Sequence, residues 1–217
     1  RRQNPQSLRA QLYTGQLLRD MGRLEEALSE FRTAKRLTPS SGEARYRVGA
    51  LLVELDQKRS GLRELEAAVR LAPDLHPARR LLAGLYLKGR RFEPAVREAR
   101  RAVELRPDDL IGRYTLAVAL YELTRYGAAL SEFETVLMRK PDSINSRLFA
   151  GNAANRLGRF DDSRKHYEKV LEQEPKNALA LFNLGNVLAA QDYPERAAER
   201  YRESCELGEQ AACEQVK

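Results

Sequence analysis

Six of the chain's nine prolines stand 34 residues apart, at Pro5, Pro39, Pro73, Pro107, Pro141 and Pro175. A fixed period of that length marks a stacked repeat array, in which each unit buries its apolar face only against its neighbours. Function in such a chain is sought on a surface before any catalytic pocket. The apolar fraction of 42% is enough for a continuous core, and 32% charged residues suit a body with much surface for its volume.

With the recurring proline as position 32, the units run 8–41, 42–75, 76–109, 110–143, 144–177 and 178–211, and other positions fall into step. Position 8 is Gly15, Gly49, Ala83, Ala117, Gly151 and Gly185; position 20 is Ala27, Gly61, Ala95, Ala129, Ser163 and Ala197. Position 24 is bulky in five units (Phe31, Leu65, Phe133, Tyr167, Tyr201) and Ala99 in the third. Position 27 is Ala34, Ala68, Ala102, Val136, Val170 and Ser204. Positions 20, 24 and 27 share one helical face, as do 7, 8 and 11, so each unit reads as two amphipathic helices. Small residues at 8 and 20 let the two backbones approach, beside the bulky residue at 24. Gly22, Gly89 and Gly158 are expected to end first helices in the left-handed conformation. Ser41, Asp109, Ser143 and Asn177 are expected to cap the helices that follow them, and Pro94 and Pro194 fit first turns.

This pattern resembles the tetratricopeptide repeat, with Gly22-Arg23-Leu24-Glu25-Glu26-Ala27-Leu28 and Leu181-Phe182-Asn183-Leu184-Gly185-Asn186 close to the family norm. The resemblance covers residues 8 to about 208. It implies an all-α, right-handed solenoid of six helix-turn-helix units with a peptide-binding concave face; the residues themselves carry no enzyme or cofactor signal. The family's Trp at position 4 is replaced by Gln11, Arg45, Arg79, Arg113, Arg147 and Leu181. The four arginines form a ladder. They are read as structural, hydrogen-bonding carbonyls at the end of the neighbouring second helix, in preference to a basic stripe for an acidic partner.

By resemblance, the concave face is lined by positions 2, 5, 6, 9, 12 and 13 of the first helices. These supply Tyr13, Tyr46, Tyr114, Tyr121, Phe149 and Phe182 together with Arg47, Arg80, Lys88 and Arg156. Rings give contact area at low entropic cost and guanidinium groups anchor carboxylates, so the face reads as a binding surface; the alternative is rings packed between neighbouring helices. Asn152, Asn155, Asn183 and Asn186 add amides that can hold an extended peptide's backbone or simply be solvated. The family's two-carboxylate clamp for chaperone tails is not matched, because its lysine falls at Leu148.

Residues 209–217 read as a C-terminal capping helix, where Glu209 stands in place of the next proline. Cys205 and Cys213 with the residues between them resemble a Sel1-like repeat, in which such a pair bridges adjacent helices. A bridge points to an oxidising compartment such as the periplasm or cell exterior; the alternative is two reduced thiols in a cytosolic cap.

Net charge is +7 and Arg outnumbers Lys 30 to 8, which suits acidic proteins, anionic lipid or nucleic acid. Interleaved acids and the absence of long basic runs argue against nucleic acid. No 18-residue apolar stretch occurs, although the opening at Arg1 leaves room for an upstream lipid anchor. His76 and His166 lack ligand-spaced neighbours, and no phosphate loop or nucleophile motif is present. The expected function is a non-enzymatic scaffold or adaptor that binds a protein segment. One alternative is a periplasmic or lipid-anchored assembly factor, since six such repeats with a cysteine pair are similar to the pilotin-type lipoproteins of type IV pili. The other is a regulatory domain of a larger enzyme or complex.

Overall fold

The computed structural model describes residues 5–216, so residues 1–4, with Arg1 among them, and Lys217 lie outside the described residues. Thirteen α-helices and no strand occur among them: α1 Pro5–Asp20, α2 Leu24–Leu37, α3 Gly42–Glu54, α4 Lys58–Leu71, α5 His76–Lys88, α6 Phe92–Leu105, α7 Leu110–Glu122, α8 Tyr126–Arg139, α9 Ile144–Arg156, α10 Phe160–Gln173, α11 Ala178–Ala190, α12 Pro194–Glu206 and α13 Gln210–Gln215. The chain forms two compact units, residues 1–115 and 116–217, with the division inside α7.

In the first unit α1 pairs with α2, α3 with α4 and α5 with α6. Each pair stacks on the next through α2 against α3 and α4 against α5, and α3 also meets α5 directly, so first helices share an inner face. The second unit repeats this with α9 on α10, α11 on α12, and α9 touching α11. Every residue at positions 20, 24 and 27 is buried. The pairs close up as the small residues require: a Cβ on Gly151 would come within 2.7 Å of the Tyr167 ring, and one on Gly185 within 2.6 Å of Tyr201. Buried hydroxyls in this seam are satisfied, with Ser163 donating to the Gly151 carbonyl at 2.8 Å and Ser204 to that of Ala178 at 2.7 Å.

The helix ends have local causes. Ser41 accepts from the Ala44 N–H, Asn177 from Ala180 and Asp109 from Gly112, which satisfies first-turn donors. Ser143 departs from expectation. Its hydroxyl donates to the Oγ of Ser146 at 2.8 Å and makes no cap bond. Second helices stop because the residue before each recurring proline is pushed out of the α region: Thr38, Ala72 and Lys140 sit near φ −136°, −133° and −134°.

First helices end on a left-handed residue at position 15, and glycine is not required there. Gly22 and Gly158 have φ 76° and 72°, but Asp56, Arg90, Thr124 and Asp192 hold the same conformation at 59°, 55°, 57° and 64°. In the third unit Arg90, not Gly89, makes the turn. Gly89 is the α5 C-cap at φ −82°.

Candidate functional site

The arginine ladder is tied into the interhelix links. Arg79, Arg113 and Arg147 each donate to the carbonyl of the proline six residues earlier, namely Pro73, Pro107 and Pro141. The accepting carbonyl thus belongs to the loop just past the second helix, one step beyond the helix end itself. Arg45 instead reaches Glu64 at 3.1 Å, and Arg79 also pairs with Glu98, whose side chain is 7% exposed. Glu64 and Glu98 both stand at position 23. That position also carries Glu132 and His166, and this second periodic series is the sequence signal that would have found these partners. At His166 burial lowers the imidazole pKa first and nearby Arg147 lowers it further.

The inner face of the first unit forms a groove of about 530 Å³ between α1, α3, α5 and the start of α7. Its apolar floor includes Ala50 and Val53 of α3, Leu81, Gly84 and Leu85 of α5, and Ile111 of α7. Tyr46, Arg80 and Lys88 stand at its edge, with Arg19 bonded to Glu54 at 2.7 Å. Arg80 is 41% exposed and lies 3.8 Å from Asp109, so part of its charge faces the groove. A Cβ built on Gly84 would meet nothing within 4 Å, which makes this floor position open space.

The other expected residues of this unit divide. Tyr46 and Arg80 both line the groove. Arg47 is held by Glu43 and Gln16, each at 2.7 Å, and lies over the Tyr46 ring. Tyr13 is 73% exposed on α1 and is not among the lining residues. Tyr114 is half-buried, which raises its phenol pKa.

In the second unit the rings pack on one another. Phe149 stacks on Phe133 with centroids 5.4 Å apart and meets the Tyr121 edge at 5.6 Å, while Tyr121 meets Tyr126 at 5.2 Å. Arg156 hydrogen-bonds to Tyr121, which raises the guanidinium pKa. Phe182 lies 5.9 Å from Tyr201. Asn152 and Asn186 accept from the hydroxyls of Tyr167 and Tyr201 at 2.6 and 2.9 Å, so one atom of each amide is committed within the repeat. Asn155 and Asn183 are half-buried on the same helices, α9 and α11.

Sequence reasoning missed a buried pair in the first unit. His76 Nε2 lies 2.8 Å from Asp109 Oδ2, with side chains 9% and 5% exposed. The pair ties the start of α5 to the cap of α7, and their spacing of almost one repeat was the available signal. At the C-terminus Cys205 and Cys213 form a disulfide, Cα atoms 4.7 Å apart, joining α12 to α13. Among the described residues no group of three or more His, Cys, Asp or Glu is placed to hold a metal ion, and no helix is long and apolar enough to cross a membrane.

The tetratricopeptide repeat family model matches residues 1–42, 80–144, 114–164 and 148–212. No curated protein sequence matches the chain. Among solved structures, YrrB, a TPR protein with an unusual peptide-binding site, is 18% identical with a TM-score of 0.78, covering 85% of this chain and 96% of its own. PilF of Pseudomonas aeruginosa is 17% identical with a TM-score of 0.70, covering 96% of each chain. MamA of Desulfovibrio magneticus RS-1 is 17% identical with a TM-score of 0.71, covering 76% of this chain and 94% of its own. At these identities the structures speak for the fold, while the family model spans most of the sequence. The paired helices and their small-residue seams thus have a family: the chain belongs to the tetratricopeptide repeats, an all-helical fold that serves as a protein–protein interaction scaffold.

Proposed function

We propose that the chain is a non-enzymatic adaptor that holds an acidic, extended or helical segment of a protein partner in its inner groove. The observation that carries this reading is the groove of the first unit, an apolar floor with Arg80 and Lys88 at its edge. Apolar area supplies affinity, and the two cations select a carboxylate-bearing segment. Six repeats, 8–41, 42–75, 76–109, 110–143, 144–177 and 178–211, with a Sel1-like cap over 209–217, form the scaffold. Helix bounds that recur every 34 residues from α3 to α11 support that division.

Gly84 provides the test. A Cβ there meets no atom within 4 Å, so leucine extends from open space into the groove, and it replaces a weak helix former by a strong one. Affinity capture with wild type, Gly84→Leu and Arg80→Glu/Lys88→Glu should return a partner that both variants lose, with thermal stability unchanged or higher in Gly84→Leu. An identical partner set for all three overturns the groove reading.

A second reading, a periplasmic or lipid-anchored assembly factor of the pilotin type, is supported by the Cys205–Cys213 bridge, because such bonds persist in oxidising compartments. The near-complete mutual coverage with PilF supports a shared length of array. Alkylating thiols at lysis of the native cells, followed by mass spectrometry, checks it: two labelled cysteines remove this reading.

A further inference from the structure

First helices that follow a second helix bury the same face against it. In α3, Ala44, Val48 and Leu51 are at most 1% exposed, and Val48 and Leu51 share a core with Leu28 and Phe31 of α2. In α11, Ala180, Leu184 and Val187 are at most 6% exposed and share a core with Val170 of α10. The matching residues of α1 are Ala10, Thr14 and Leu17, and all three are exposed. Tyr13, Leu17 and Met21 are 73%, 51% and 60% exposed, four residues apart, so they form one apolar stripe along α1. The other exposed large apolar side chains stand singly along the sequence. The stripe is therefore a packing face like its buried counterparts, and among the described residues no helix lies upon it.

The nature of the occupant follows from the far end and from charge. A second copy could in principle stack its last full helix, α12, on this face, continuing the array head to tail. That route is closed, because α13 already packs on α12, buries Ala212 fully and is held by the disulfide. What α1 itself offers is self-complementary. Exposed Arg9 lies one turn before Tyr13 and exposed Asp20 beside Met21, where its Oδ1 accepts from Gln16 Nε2 at 2.7 Å; the two charges are eleven residues apart and so close to three full turns along one azimuth. Laid antiparallel on a second α1, Arg9 of each copy meets Asp20 of the other, and Tyr13 and Leu17 of one meet Leu17 and Tyr13 of the other. A two-fold contact must be self-complementary in this way.

We infer that this face of α1 pairs two copies of the chain, antiparallel and isologous. One helix face is a small contact, below about 1,200 Å² in total, so the dimer forms in a concentration-dependent way. Sedimentation equilibrium of the intact chain from micromolar to near-millimolar concentration should show the mean mass rising from one 24.7 kDa chain towards two. Leu17→Glu, at an exposed position that leaves the helical circular dichroism unchanged, should stay monomeric throughout. Arg9→Asp should weaken pairing by about tenfold or more, and adding Asp20→Arg should restore it, since close charge pairs across an interface couple strongly. A wild-type chain that stays monomeric overturns the inference, including where residues preceding these in a longer protein cover the stripe. So does a Leu17→Glu variant that pairs like wild type, or a charge reversal that the second reversal fails to rescue.

Discussion

The phenol of Tyr167 donates to Oδ1 of Asn152 at 2.6 Å across the helix pair α9/α10. The bond holds the ring over Gly151, where no side chain would fit, so one hydroxyl fixes the seam and orients an amide on the inner face. Tyr167→Phe keeps the ring and removes the bond. It should lower unfolding free energy by roughly 1 kcal/mol, the usual net worth of such a hydrogen bond, and urea titration against wild type checks this.

The arginine ladder separates two kinds of anchorage. Arg79 joins the Pro73 carbonyl to buried Glu98, whereas Arg147 bonds the Pro141 carbonyl at an exposed link. Arg79→Met removes one of the two cations on buried Glu98, leaving Arg97 at 3.1 Å, and should cost roughly 2 kcal/mol, the range of a charge-assisted hydrogen bond. Arg147→Met should cost about 1 kcal/mol. Thermal and urea denaturation of both variants would test the order, and equal small losses would return the ladder to a binding role.

Much of this architecture was legible because the repeat writes the same physics at every 34th residue. The small residues at positions 8 and 20 and the rings at 24 announced the seam directly. What stayed hidden depended on pairing between positions. Arg79 reads as a lone cation until Glu98, nineteen residues on, is seen to stand opposite it; His76 reads as an isolated imidazole until the fold brings Asp109 to it. The candidate site was legible as a face but not residue by residue. Arg47 at position 6 and Arg80 at position 5 both belong to the expected inner face, yet Glu43 and Gln16 engage the first while the second keeps its groove exposure. The groove itself depends on Gly84, whose absent side chain carries no signal in a composition rich in small residues.

Thr124 is a β-branched residue held at φ 57°, a conformation that crowds its side chain against the backbone. Glycine occupies the same place without strain at Gly22 and Gly158. Thr124→Gly should therefore stabilise the chain by about 1 kcal/mol, after allowing for the greater freedom of glycine in the unfolded state. A rise in thermal midpoint is the expected observation, and a fall would mean the threonine makes a compensating contact.

Alkaline pH offers a test at Tyr86. Its phenol is buried between α4 and α6 and donates to Glu66 at 2.7 Å, and Arg91 lies over the ring with its guanidinium carbon 4.5 Å from the centroid. Burial and the Glu66 carboxylate push the phenol up to about 12, outweighing the opposing effect of Arg91. An unfolded tyrosine ionises near pH 10. Because the folded value is the higher, the unfolded chain loses its proton first, and unfolding gains free energy as pH rises. The stabilisation is thus intact below about pH 10 and is lost progressively as pH climbs towards about 12. Burial raises Tyr114, Tyr167 and Tyr201 as well, so the decline has several contributors. Tyr86→Phe should make the fall in urea midpoint between pH 9 and 12 shallower without abolishing it. An unchanged slope would mean that Tyr86 ionises as readily in the folded chain as in the unfolded one.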